Sequence, residues 1–158
     1  MLRSKAVNAL QRLGVDRSSV NEVMLRLGAE RRYDEVVNLA FQLGWEGREV
    51  ARLLGSLLQS SDAQLRIRAI TLLERGGREA SAAWDQIMAA LKDPEEEVRY
   101  LAARSLEKIG SDSPQMIAAL RASLTDSNVM VSNVTRRILK KIEPEAVEHQ
   151  SPAQQSGQ

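Results

Sequence analysis

Apolar positions in the second half of the chain recur at helical spacing, with Val98, Ala102, Leu106 and Ile109 in one segment and Val131, Leu139 and Ile142 in another. Such spacings put the side chains on one face of a helix, so each stripe predicts a helix that buries that face in a core. The pattern then repeats every 33 residues: Leu91, Asp93, Val98, Leu106 and Ile109 fall on Leu124, Asp126, Val131, Leu139 and Ile142. One period earlier, Leu58, Leu65, Arg66, Ala69, Leu73 and Gly77 fall on Leu91, Val98, Arg99, Ala102, Leu106 and Gly110. A further step back places Leu25, Val36, Ala40 and Gly44 on Leu58, Ala69, Leu73 and Gly77. A two-helix unit of this length cannot bury its apolar face alone, so about four such hairpins, from about Arg17 to Ile142, predict a stacked array.

Punctuation residues place the helices. Gly14, Gly28, Gly44, Gly77 and Gly110 suit the left-handed position just past a helix end. Asp93 predicts an N-cap, with Pro94 at the first helical position and Glu95, Glu96 and Glu97 facing the positive end of the helix dipole. Ser113 before Pro114 opens another helix, and Ser19 with Glu22 has capping-box spacing. First helices are expected over about 18–27, 47–59, 80–92 and 114–125, and second helices over about 33–43, 63–75, 95–109 and 128–142. An additional helix over about 2–13 is expected to cover the open end of the stack. From Glu143 onward the periodicity stops and Pro, Gln, Ser and Gly accumulate, which divides the chain into a folded array over 1–142 and an expected disordered tail over 143–158.

Composition narrows the function. The net charge of +1, from 22 basic and 21 acidic residues mixed along the chain, provides no strong field for nucleic acid or an anionic membrane. With no cysteine, disulfides, thiolate metal sites and cysteine nucleophiles are excluded. No apolar stretch approaches the ~18 residues of a membrane span, and the first residues lack a secretory-signal pattern, so a cytoplasmic location is expected. The single histidine, His149, lies in the tail, which removes histidine-based acid–base chemistry and a multi-histidine metal site. Phosphate-loop motifs are missing, Gly76–Gly77 reads as a helix stop, and Ser60, Ser61, Ser111 and Ser113 sit where capping uses them. A protein without catalytic activity, cofactor or metal is expected.

Leu91, Asp93, Pro94, Val98, Arg99, Ala102, Ala103, Leu106, Ile109 and Gly110 resemble the HEAT-repeat pattern, most closely the short HEAT-like units of phycobilin lyase subunits and their bacterial relatives. The resemblance extends in weaker form over about four fifths of the chain and implies an all-α, right-handed, armadillo-type α-solenoid of about four hairpins with an N-terminal capping helix. The family's ladder of an Asp followed six residues later by an Arg is kept only as Asp93 and Arg99. Ser60 stands before Arg66 and Ser132 follows Asp126, so the ladder is expected to break on either side of that unit.

In the second helices, Gln64, Ile67, Thr71 and Glu74 share one face away from the core stripe, as do Glu97, Tyr100, Arg104 and Glu107, and then Met130, Asn133, Arg137 and Lys140. The resemblance implies that second helices line the concave side, so a groove of Ile67, Tyr100, Arg104, Met130, Asn133, Arg137 and Lys140 is expected. An apolar and aromatic centre beside arginines has the composition of a protein-binding patch. Of the two tryptophans, Trp84 falls on a core column, and Trp45, after the helix stop Gly44, is expected either to fold back on the preceding helix or to stay partly exposed as an anchor at the repeat edge. These readings converge on a scaffold or adaptor that binds another protein. The resemblance also implies two alternatives: an auxiliary protein of phycobilin attachment or phycobilisome handling, and a DNA-binding protein similar to HEAT-like alkylpurine DNA glycosylases. Near-neutral charge and few aromatics weigh against nucleic acid.

Overall fold

A computed structural model of the chain describes residues 16–45, 47–110 and 112–143, and every regular element among them is helical. In chain order the helices are α1 (Arg17–Ala29), α2 (Tyr33–Leu43), α3 (Arg48–Ser56), α4 (Ala63–Gly76), α5 (Trp84–Ala90), α6 (Glu96–Ile109), α7 (Pro114–Ala122) and α8 (Val129–Ile142). Tighter 3-10 segments follow α3 at Leu57–Gln59, precede α5 at Gly77–Ala83 and follow α7 at Ser123–Thr125. The chain divides into two compact units, one ending at Gly110 and one beginning at Ser111. The first holds the hairpins α1–α2, α3–α4 and α5–α6, and the second holds α7–α8. The helix expected over 2–13, Gly14, Ser111 and the tail from Pro144, with His149, lie outside the described residues.

The 33-residue register reappears as burial. Val36, Ala69, Ala102 and Thr135, equivalent in the register, are all fully buried, as are Ala40, Leu73, Leu106 and Leu139, none more than 2% exposed. Leu65, Val98 and Val131 continue the pattern. Thr135 tolerates its apolar setting because its hydroxyl donates to the Val131 carbonyl at 2.8 Å. Leu124 and Ile142 of the last unit are only half-buried, and α1 departs from the register as read from the sequence. Met24 is the buried residue there, sharing its column with buried Leu57, Ala90 and Ser123, whereas Leu25 is 37% exposed. One residue along a helix turns the side chain by about 100°, enough to carry Leu25 off the packed face.

Gly28 also differs from expectation. It lies inside α1 rather than after it, and an added Cβ would come within 2.7 Å of the Leu53 side chain, so this glycine permits the close approach of α1 to α3. The left-handed residue after α1 is Arg31, at φ 59°. Gly44, Gly77 and Gly110 do end α2, α4 and α6 with positive φ. The cap of α1 is Asp16, whose Oδ1 accepts from both the amide and the hydroxyl of Ser19 at 2.8 Å. Ser19 is therefore in the first turn and does not cap the helix in a box with Glu22. These bonds, the Ser19 amide first, hold the Asp16 carboxyl below its ordinary pKa.

Three times the turn into a second helix is built alike. Ser60 Oγ accepts from the Asp62 amide at 3.1 Å, Asp93 Oδ1 from the Glu95 amide at 2.9 Å, and Asp126 Oδ1 from the Asn128 amide at 2.8 Å. The caps proper sit two residues on, where Asp62 and Asn128 accept from the first free amides of α4 and α8. Asp93 is thus not the N-cap of α6, and Pro94 precedes the helix instead of opening it. Ser113 and Pro114 do take the cap and first position of α7.

The Asp93 carboxylate has a second task. Arg66, on α4, grips it in a two-pronged pair, Nε to Oδ2 at 2.8 Å and Nη2 to Oδ1 at 3.0 Å, with side chains only 10% and 7% exposed. Arg66 Nη1 donates to the Ser60 carbonyl at 2.9 Å, and Arg99 Nη1 likewise to the Asp93 carbonyl at 2.9 Å. The rung therefore runs from one hairpin to the next, so Ser60 in place of an aspartate does not disarm Arg66, contrary to the break expected there. The Asp93 bond raises the Arg66 pKa above its ordinary value.

Candidate functional site

In the first unit, α4 and α6 lie side by side, and their outer faces carry Ile67 on one helix and Tyr100 and Arg104 on the other, all half-buried. Tyr100 and Arg104 are one turn apart, and the Arg104 guanidinium lies over the Tyr100 ring at 5.7 Å from its centroid. Glu74, expected to face outward, is instead buried, with its side chain 8% exposed. The reason is its neighbour helix: Arg104 Nη2 and Lys108 Nζ, both from α6, close over Glu74 Oε1 at 2.7 and 2.9 Å. That oxygen is held by charge rather than by well-aligned hydrogen bonds. Arg104 is accordingly engaged within the molecule, its guanidinium over the Tyr100 ring and its Nη2 on Glu74. The Tyr100 oxygen and the Glu74 charge, opposed by burial, raise the Arg104 pKa.

The second unit presents its share separately. Along α8, Met130 is 52% exposed, and Asn133, Arg137 and Lys140 follow it in solvent on the same helix. Val129, at 65%, extends the apolar end of this strip. Asn133 Oδ1 accepts from Arg136 at 3.2 Å, which steadies the middle of the row.

A third feature centres on Trp45. This side chain reaches past its own hairpin to α4. Its Nε1 donates to the Leu72 carbonyl of α4 at 3.2 Å, and its six-membered ring covers Gly76, where an added Cβ would lie 2.2 Å from Cζ2. The Gly76–Gly77 doublet carried the signal: one glycine suffices to stop α4, and the other makes room for an indole. The turn that presents Trp45 is tied down by Glu79, whose Oε2 accepts from the Gly47 amide at 2.7 Å. Ala40, Trp45, Leu72, Arg75, Gly76 and Lys108 enclose a cleft of about 250 Å³. Arg75 stands at its edge with its guanidinium over Phe41, 5.7 Å from the ring centroid. Trp84, read as core, is half-buried at the start of α5.

Among the described residues no helix is long and apolar enough to cross a membrane. A family model of HEAT repeats matches residues 50–139. Comparisons with curated proteins and with solved structures returned no match.

Proposed function

Because the chain belongs to the HEAT-repeat family, whose repeats commonly bind proteins, we propose that it is a non-enzymatic, cytoplasmic scaffold or adaptor that grips a partner protein along its second helices. The observation that carries this reading is Tyr100. Its ring is half-buried, clamped by Arg104 at 5.7 Å and so pre-oriented, which is the condition under which an amphipathic aromatic becomes a binding anchor at low entropic cost. Ile67 beside it, and Met130, Asn133, Arg137 and Lys140 on α8, supply further apolar and cationic contacts in the proposal. A right-handed array capped by a helix over about residues 2–13 belongs to the same proposal and rests on the family likeness. The likeness to phycobilin lyase subunits and to HEAT-like DNA glycosylases rests on the repeat pattern alone and adds neither pigment nor DNA to this reading.

The test is affinity capture with the wild-type chain and with Tyr100→Ala combined with Arg104→Gln. Glutamine at position 104 is chosen because a glutamate would set a second carboxylate against buried Glu74. Retained circular dichroism with loss of the captured proteins supports the proposal. Capture of the same proteins in equal amounts by the double variant refutes it.

A further inference from the structure

We propose that the cleft between Trp45, Arg75 and Lys108 receives an acidic peptide segment of the partner protein, an apolar side chain resting on the indole and a carboxylate lying between the two cations. The inference rests on the reading of the chain as a protein-binding scaffold and names the chemistry of what is bound, at a place distinct from Tyr100.

Three observations lead to it. The floor is rigid, because the indole is pinned at one edge by its bond to Leu72 and at its face by Gly76, so its apolar surface is offered without reordering. The volume of about 250 Å³ lies below the range of about 300–1,000 Å³ usual for cofactor and drug-sized ligands, and suits one or two amino-acid side chains. The charges are out of balance as well. Arg104 and Lys108 share one oxygen of Glu74, and Arg75 is met by the Phe41 ring without an ion-paired carboxylate among the described residues. The nearby Glu79 is committed to the Gly47 amide. Arg75 and Lys108 therefore both line the cleft, Lys108 sharing Glu74 with Arg104 and Arg75 held only by the Phe41 ring, and a carboxylate brought by a ligand gives Arg75 an ion-pair partner. Lys108 and Arg104 meet at Glu74, which sets the cleft beside the helix that carries Tyr100. A nucleic-acid backbone is disfavoured by the nearly neutral chain, whose net charge is +1.

Trp45 supplies its own probe. In a Trp84→Phe background, where Trp45 is the only tryptophan, emission is followed while adding an acetylated, amidated Leu-Glu-Glu-Leu peptide, its Leu-Gln-Gln-Leu counterpart, or inorganic phosphate. The proposal expects a saturable change with the acidic peptide, and binding weakened about tenfold or more by Arg75→Gln or Lys108→Gln, each checked for retained helicity. No response to the acidic peptide, an equal response to the glutamine peptide, or undiminished binding in both variants overturns it. So does a response to phosphate that matches the peptide's, which identifies a general anion site. Failure here leaves the capture lost on changing Tyr100 and Arg104 untouched, and failure of that capture experiment leaves the Trp45 titration untouched, so the two ideas fall separately.

Discussion

The seam between the first and second hairpins and the seam between the second and third join like units with unlike residues. At the second seam, Arg66 and Asp93 make a buried two-pronged ion pair, and Gly55 lets Ala83 approach so closely that an added Cβ would meet its Cβ at 2.7 Å. At the first seam, Tyr33 stands in the column of Arg66 and Ser60 in that of Asp93, so no such rung is possible. There the join is made by Trp45 over Gly76, by Leu53 over Gly28, and by Arg68 reaching Asp34 and Asn38. The match to the HEAT-repeat model begins at residue 50, past α1 and α2. Yet the buried columns through Val36 and Ala40 run unchanged into Ala69 and Leu73. Stacking thus depends on the regular apolar columns, and the lateral lock between hairpins is exchangeable.

The largest test of this contrast is Arg66→Met, which strands the Asp93 carboxylate in a site where it is 7% exposed. A loss of about 3–5 kcal/mol is expected in urea unfolding, because removing one partner of a buried pair leaves an uncompensated charge. Adding Asp93→Leu is expected to restore most of it. A loss for Arg66→Met no larger than that for Arg68→Ala would erase the distinction between the seams. Gly76→Ala strikes the first seam by pushing a methyl into the indole, 2.2 Å from Cζ2. A cost of about 1–3 kcal/mol is expected, with the Trp45 emission shifting to the red as the ring is displaced; an unmoved spectrum would show that the ring is not seated by Gly76.

Arg68→Ala is expected to cost at most about 1 kcal/mol, because Asp34 is 77% exposed and solvent screens the pair. A larger loss in thermal unfolding would make the first seam's ion pair as important as the second's. The smallest effect is at Asp16, outside both seams. Its carboxyl is depressed below the ordinary value of 3.8 by the Ser19 amide, so the stability it contributes is present above that value and disappears as pH falls through its lower, folded value. Asp16→Ala is therefore expected to lower the melting temperature at neutral pH, with the difference from wild type vanishing in strong acid; a pH-independent difference would show that the charge is not what caps α1.

The core was legible because its signal is local and repeated. Leu65, Ala69 and Leu73 predict a buried stripe by spacing alone, and their equivalents one period on confirm the register. Leu25 misled because the N-terminal unit keeps the period loosely, and a shift of one residue is a rotation of about 100°. One pair of the candidate surface was also legible: Tyr100 and Arg104 are neighbours on one helix at i and i+4. Glu74 was not, since nothing in its own turn of α4 announces that Arg104 and Lys108 will close over it from α6. Trp45 reaches α4 because the space for a ring is at Gly76, 31 residues further along the chain.

The sequence by itself determined the helices, their stops at Gly44, Gly77 and Gly110, and the columns that stack, since each of these depends on residues within a turn or two and on a period that recurs. Tertiary structure alone decided which charges meet and where a cleft opens. Arg66 finds Asp93 across 27 residues and Trp45 finds Leu72 across 27. Such partners are selected by distance in the packed hairpins, where a fraction of an ångström separates a buried ion pair from a stranded charge, and no local pattern along the chain encodes that distance.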